Sequence, residues 1–140
     1  MANDTDETGT GSPLCIVMGL VYVVAGVLHF LVPRAFARIV PPSLPRPVGL
    51  VYLSGLAEVV LGAGVMVRRT RPLSAWGIVA LLVAVFPANV HMATSGMVPE
   101  SVPDRARGLA RSGLWVRLPL QGVLVLWAWR YTRSGRPTPE

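Results

Sequence analysis

Four apolar runs, at residues 14–32, 48–67, 73–93 and 114–131, take up most of the chain. Each is about 18–21 residues long, and at 1.5 Å of helix rise per residue that length matches the ~30 Å hydrocarbon layer of a bilayer. Within lipid the backbone must satisfy its own hydrogen bonds, so a continuous apolar run of this length is a helix. The expected fold is therefore all-α, an integral membrane four-helix transmembrane bundle. Composition agrees: 52% of residues are hydrophobic and 14% charged, against about 25% charged in a soluble domain. The mean hydropathy is +0.53.

The charge needs a reading of its own, because +6 and a pI near 11.0 would suggest nucleic acid on a soluble chain. Here all 13 basic residues are arginines, and most flank the apolar runs. Their expected partner is the lipid bilayer, with no nucleic acid, and the expected location is the cell membrane, crossed several times. With four spans, Arg68, Arg69, Arg71, Arg130, Arg133 and Arg136 share one side with both termini; Arg34, Arg38, Arg46, Arg105, Arg107 and Arg111 lie on the other. The counts tie, so arginine bias does not orient the chain. The tight cluster at 68–71 lies closest to its span ends and favours cytoplasmic termini. Cys15 is the sole cysteine, which excludes an intrachain disulfide or a C-x-x-C redox pair. The first run follows an acidic segment and is longer than a signal-peptide core, so it is expected to be retained.

Between the runs the chain is punctuated. Residues 1–13 form a polar tail expected to be disordered, 14–131 the four-span domain, and 132–140 a polar C-terminal tail. The short RRTRP connector at 68–72 makes the second and third spans an antiparallel hairpin. The proline-rich connector at 33–47 holds one amphipathic piece, 34–40, suited to the interface. Trp76, Trp115, Trp127 and Trp129 fall near span ends, as in an aromatic belt.

Polar side chains inside a bilayer are costly and need a partner, a cavity or a shallow depth. Those that stand out inside the runs are His29, Ser54, Glu58, Asn89, His91, Arg117 and Gln121. By helix rise, Glu58 lies about 15 Å from its span end, near the midplane. His29 and Asn89 lie roughly 5–6 Å deep from the face holding connectors 33–47 and 94–113, Arg117 about 4–5 Å and Gln121 about 10 Å. All of them fall in one half of the membrane. Arg117 and Gln121, four apart, share a stripe of the last span. Ser54, Gly55, Glu58 and Gly62 form a small-residue face that admits a close neighbour. Pro87 and Pro119 each free a carbonyl four residues back and bend their helices near the same level.

These positions define a candidate polar pocket of His29, Ser54, Glu58, Asn89, Arg117 and Gln121. Two plainer arrangements stand beside it: a Glu58–Arg117 ion pair that fixes helix register, and an Arg117 that snorkels to the surface unpaired. His29 and His91 share a depth, as a bis-histidine haem would require, but two histidines are a thin basis for haem. The sequence holds no metal-ligand cluster, nucleophile triad or phosphate loop, so no cofactor, metal or catalytic residue is assigned.

Beyond that reading, the chain resembles the DoxX-like family of small four-helix bacterial membrane proteins. The resemblance runs through GVLHF at 26–30 with Pro33, Phe36 and VP at 40–41. It continues through SGLAE at 54–58, FPANVHMA at 86–93 and WVRLPLQ at 115–121, and so covers about residues 14–131. It implies a four-helix transmembrane bundle and, through the family's name-giving member, a link to quinone-dependent oxidation. The cysteine pairs of some redox-active relatives are missing here. The expected function is a non-catalytic accessory or scaffold subunit with an intramembrane polar pocket, bound to a partner membrane subunit or to further copies of itself. The alternative is an oxidoreductase component that places a quinone, or a similar amphipathic ligand, against Glu58, Arg117 and Gln121. A quinone carbonyl needs a donor and its reduced form a proton acceptor, and that set contains both.

Overall fold

The computed structural model describes residues 13–98 and 102–133. The tails expected at 1–13 and 132–140 fall almost wholly outside that range. The described residues form five helices: α1 (Pro13–Leu31), α2 (Pro33–Ala37), α3 (Pro47–Met66), α4 (Arg71–Ser95) and α5 (Asp104–Tyr131). The apolar runs supply α1, α3, α4 and the second half of α5. Helix α2 is one short turn inside the proline-rich connector.

Proline and glycine set most of the boundaries. Prolines open α1, α2 and α3, where a missing N–H costs nothing because the first turn has no carbonyl to bond. Arg46, the residue before α3, is held in the left-handed region at φ 52, a conformation uncommon for a side chain with a Cβ. Gly96 ends α4 in the same region at φ 59, as expected of a glycine just past a helix C-terminus. Pro87 and Pro119 lie within α4 and α5 without breaking either. The connector expected at 94–113 is shorter than the sequence suggests, because α5 begins at Asp104 and gains three turns ahead of its apolar run.

The α3–α4 turn is closed by its own side chains. The Thr70 hydroxyl donates to the Gly64 carbonyl at 2.7 Å, and Arg71 Nε donates to the Val65 carbonyl at 3.1 Å. These are among the last carbonyls of α3, which lack partners in the helix and carry the negative end of its dipole. Arg71 is buried in consequence, so it differs from the flanking arginines it was grouped with.

Neighbours follow the order α1–α3–α4–α5. Helix α5 makes close backbone contact only with α4 among the described helices, and α1 makes none with α4 or α5, which it meets through side chains alone. The shared core is small: Met18 and Tyr22 from α1, Val65 from α3, Ala75, Ile78, Val79 and Leu82 from α4, and Ala128 from α5. Large apolar side chains are exposed along all four long helices, among them Leu20, Val24, Leu53, Val60, Val83, Val116, Val123 and Leu126. Three helices, α1, α3 and α4, are long and apolar enough to cross a membrane. Helix α5 does not reach that measure; its 28 residues include six charges.

A glycine seam aligns α1 with α3. A Cβ added to Gly26 would lie 2.5 Å from the Gly55 carbonyl oxygen, and one added to Gly55 would lie 2.9 Å from that of Gly26. Gly19 and Gly62 face each other in the same way, at 2.5 and 2.7 Å. The two glycines are seven residues apart on each helix, and the pairs run in opposite senses. The helices are therefore antiparallel and touch backbone to backbone, as small residues allow.

Candidate functional site

The seam brings His29 and Glu58 together. Every Cα–Cβ bond leans toward its helix N-terminus. In an antiparallel pair, a side chain near the end of α1 and one in the middle of α3 thus lean toward each other. His29 Nδ1 lies 3.5 Å from Glu58 Oε2, and both side chains are about seven-eighths buried. The same nitrogen donates to the Ala25 carbonyl at 2.7 Å. That bond places a proton on Nδ1 and fixes the ring, which also stacks on Phe36 of α2 at 4.1 Å between centroids. His29 therefore joins three helices: its own, α3 through Glu58, and α2 through Phe36.

Two buried oxygens in this region have no hydrogen-bond partner among the described residues: Glu58 Oε2 and the Tyr22 hydroxyl. Ser54 does not fill the gap, because its hydroxyl donates to the Val51 carbonyl of its own helix at 3.0 Å. The arrangement sets the carboxyl beside the imidazole without a hydrogen bond between them, because the Nδ1 proton goes to Ala25. It presents no third ligating side chain, and the described residues contain no group of three or more His, Cys, Asp or Glu that could hold a metal.

Asn89 and Gln121 form a second, separate pair. Asn89 Nδ2 donates to Gln121 Oε1 at 2.7 Å, and Gln121 Nε2 donates to the Leu82 carbonyl. Leu82 precedes Val83, whose carbonyl lost its amide partner to Pro87, so Gln121 is bonded to α4 backbone beside the proline bend. Each amide here meets a partner, and the pair fixes α5 on α4.

Arg117 joins neither pair. It is exposed, and the fully buried residues of α5 begin at Gln121. Glu58 faces His29 instead, and the α3 and α5 backbones make no close contact. The six residues expected in one pocket thus divide into a His29–Glu58 site and an Asn89–Gln121 site, with Ser54 self-bonded and Arg117 outside. His91 meets Ser95 on its own helix at 3.3 Å, well apart in role from His29, and no bis-histidine site forms. Tyr22 was not among the expected residues, although a phenol in the middle of an apolar run was the available signal.

A groove of about 610 Å³ opens between α4 and α5, walled almost entirely by apolar side chains including Val83, Phe86, Leu118 and Leu126. Gln121 reaches it; Glu58, His29 and Arg117 do not line it.

Comparison with known proteins places the chain without describing its activity. The family model described as Domain of unknown function (DUF8561) matches residues 18–132. No curated protein and no solved structure matches the chain.

Proposed function

The chain belongs to the DUF8561 family, and from its own residues we propose that it is a non-catalytic accessory or scaffold subunit of the cell membrane, DoxX-like in architecture. In this reading α1, α3, α4 and the 114–131 part of α5 cross the bilayer as a four-helix unit with cytoplasmic termini, and its partner is another membrane subunit or a second copy. Three helices of spanning length and the apolar side chains exposed on every long helix support the membrane placement. The six charges of α5 fit a crossing as well, since Asp104, Arg105, Arg107 and Arg111 precede the apolar run, Arg130 ends it, and Arg117 lies within about one turn of its start.

One observation carries the non-catalytic part: the intramembrane polar groups are used between helices rather than gathered around a space. Asn89 and Gln121 bond each other and the α4 backbone, while His29 and Glu58 tie α1 to α3. A quinone site would need Glu58, Arg117 and Gln121 around one ring, whereas Glu58 faces His29, Gln121 bonds Asn89 and Arg117 is exposed.

The test is mass spectrometry of small molecules extracted from the gently solubilised protein, alongside its native mass. The proposal expects no stoichiometric quinone and a defined complex with a partner subunit or a second copy. A quinone present at one per chain, and lost in Glu58→Gln, would establish the oxidoreductase reading instead.

A further inference from the structure

The groove between α4 and α5 has one end that is not apolar. On α5 the residues at 111, 115, 118, 122 and 126 recur every three or four positions and so share one face. Leu118, Gly122 and Leu126 line the groove. Arg111 and Trp115 continue the same face toward the start of the helix, and both are exposed. The Arg111 guanidinium lies over Gly96, the residue that ends α4; a Cβ there would meet Nη2 at 3.2 Å. Arg111 therefore lies against the end of α4, on the face of α5 that lines the groove and two turns before Leu118. Arg107, one turn earlier, is paired with Asp104 at 2.9 Å.

The dimensions match one lipid monolayer. From Arg111 to Leu126 the helix rises about 22 Å, and half of a bilayer with its headgroups is about 20–22 Å thick. Trp115, one turn below Arg111, sits where interfacial tryptophans do. Above Gly122 the groove is open, since a Cβ there meets nothing within 4 Å.

We propose that this cleft is a binding site for an anionic phospholipid of the adjoining leaflet, with its phosphate on Arg111 and an acyl chain along Leu118, Gly122 and Leu126. The cation at the headgroup level and the apolar channel below it are the two halves of such a ligand, in the order and at the spacing a lipid presents. Guanidinium binds phosphate with planar, charge-assisted hydrogen bonds, and basic groups between membrane helices are an established mode of anionic-lipid recognition. A bound lipid would add a further tie between α5 and the end of α4.

The inference rests on the membrane-spanning reading above. The test is native mass spectrometry of the purified full chain titrated with phosphatidylglycerol or phosphatidylcholine of identical acyl chains. Wild type is expected to retain phosphatidylglycerol about fivefold more strongly, the ratio corresponding to ~1 kcal/mol per arginine near an anionic surface. Arg111→Gln should abolish that preference while binding of both lipids continues. Gly122→Leu, which fills the groove from an open position, should reduce retention of both. Equal retention of the two lipids by wild type, or undiminished retention in Gly122→Leu, overturns the site. So does a wild-type dimer without lipid that becomes monomeric in Gly122→Leu, which would give the groove to a second copy. Alkaline extraction of the source membranes keeps the two readings apart. Chain that leaves the membrane refutes the spanning reading, whereas chain that stays but does not discriminate between the lipids refutes only the site.

Discussion

Replacing Gly26 by alanine adds one methyl group at one of the two tightest backbone contacts between α1 and α3. That methyl would lie 2.5 Å from the Gly55 carbonyl oxygen, 2.8 Å from Val59 Cγ2 and 3.0 Å from Glu58 Cβ. The first of these is backbone, so it cannot rotate away. Restoring ordinary contact near 3.4 Å requires the helices to part by about 0.9 Å at that level. Overpacking of this kind costs ~1–3 kcal/mol, set against a gain of up to ~1 kcal/mol from alanine's better helix propensity. The net expectation is a loss of about 1–2 kcal/mol, or roughly 4–8 °C in melting temperature at ~4 °C per kcal/mol. Gly122→Ala is the matched control: it makes the same change in a helix, but its new Cβ meets nothing within 4 Å. There only the propensity gain remains, so its melting temperature should hold or rise by up to ~4 °C. Tryptophan-fluorescence melting of both variants in one detergent measures the contrast. Gly55→Ala strikes the same contact from the other side, so the double variant should lose less than the sum of the two single losses, by at least ~0.5 kcal/mol. Equal shifts for Gly26→Ala and Gly122→Ala would refute the backbone seam.

Three further outcomes follow from the polar contacts. Gln121→Leu strands the Asn89 amide and should cost about 1–2 kcal/mol in thermal unfolding; adding Asn89→Leu should recover part of that loss, whereas a further loss would mean the amides do not depend on each other. Arg71→Ala removes donors from the last carbonyls of α3 and should destabilise by about 1–2 kcal/mol in the same assay, while Arg69→Ala, an exposed neighbour in the turn, should be near neutral. His29→Leu removes the imidazole packed beside the buried Glu58 carboxyl and should lower the melting temperature more than Glu58→Gln, which keeps a polar side chain of the same size there; the reverse order would show that Glu58 does not depend on His29.

The sequence was informative about the spans because their signal is the simplest kind, a length of apolar residues against a known thickness. Three of the four runs reappear as helices α1, α3 and α4 with ends shifted by one or two residues. The fourth forms only the second half of α5, because Pro103 and Asp104 supply a helix start well before the apolar run. Helix rise put Asn89 and Gln121 several ångströms apart in depth, and their side chains span that offset to bond each other. What periodicity does not supply is whether a neighbour reaches a given level. Arg117 lies 40° around an ideal helix from Gln121 and shares its stripe, yet burial on α5 begins only at Gln121 and Arg117 is exposed. That Glu58 meets His29 rather than Arg117 was hidden for a related reason. The glycine seam selects α1 as its neighbour, and that choice depends on Gly19 and Gly26 meeting Gly62 and Gly55 in register, a correspondence between two distant segments. The capping role of Arg71 was hidden by its place in a cationic turn, where every arginine reads alike.

The account stands most directly on α5 being a fourth crossing, since that fixes which groups share a membrane half. Cys15 is the sole cysteine and is buried, so Cys15→Ser gives a clean background. On it, single cysteines at Arg38, Arg69, Arg105 and Arg133 are labelled with a membrane-impermeant maleimide in sealed cells and again after permeabilisation. Arg38 and Arg105 should label together in sealed cells, with Arg69 and Arg133 reacting only once the membrane is opened. Labelling of Arg105 and Arg133 from the same side would show that α5 does not cross, and would contradict the account.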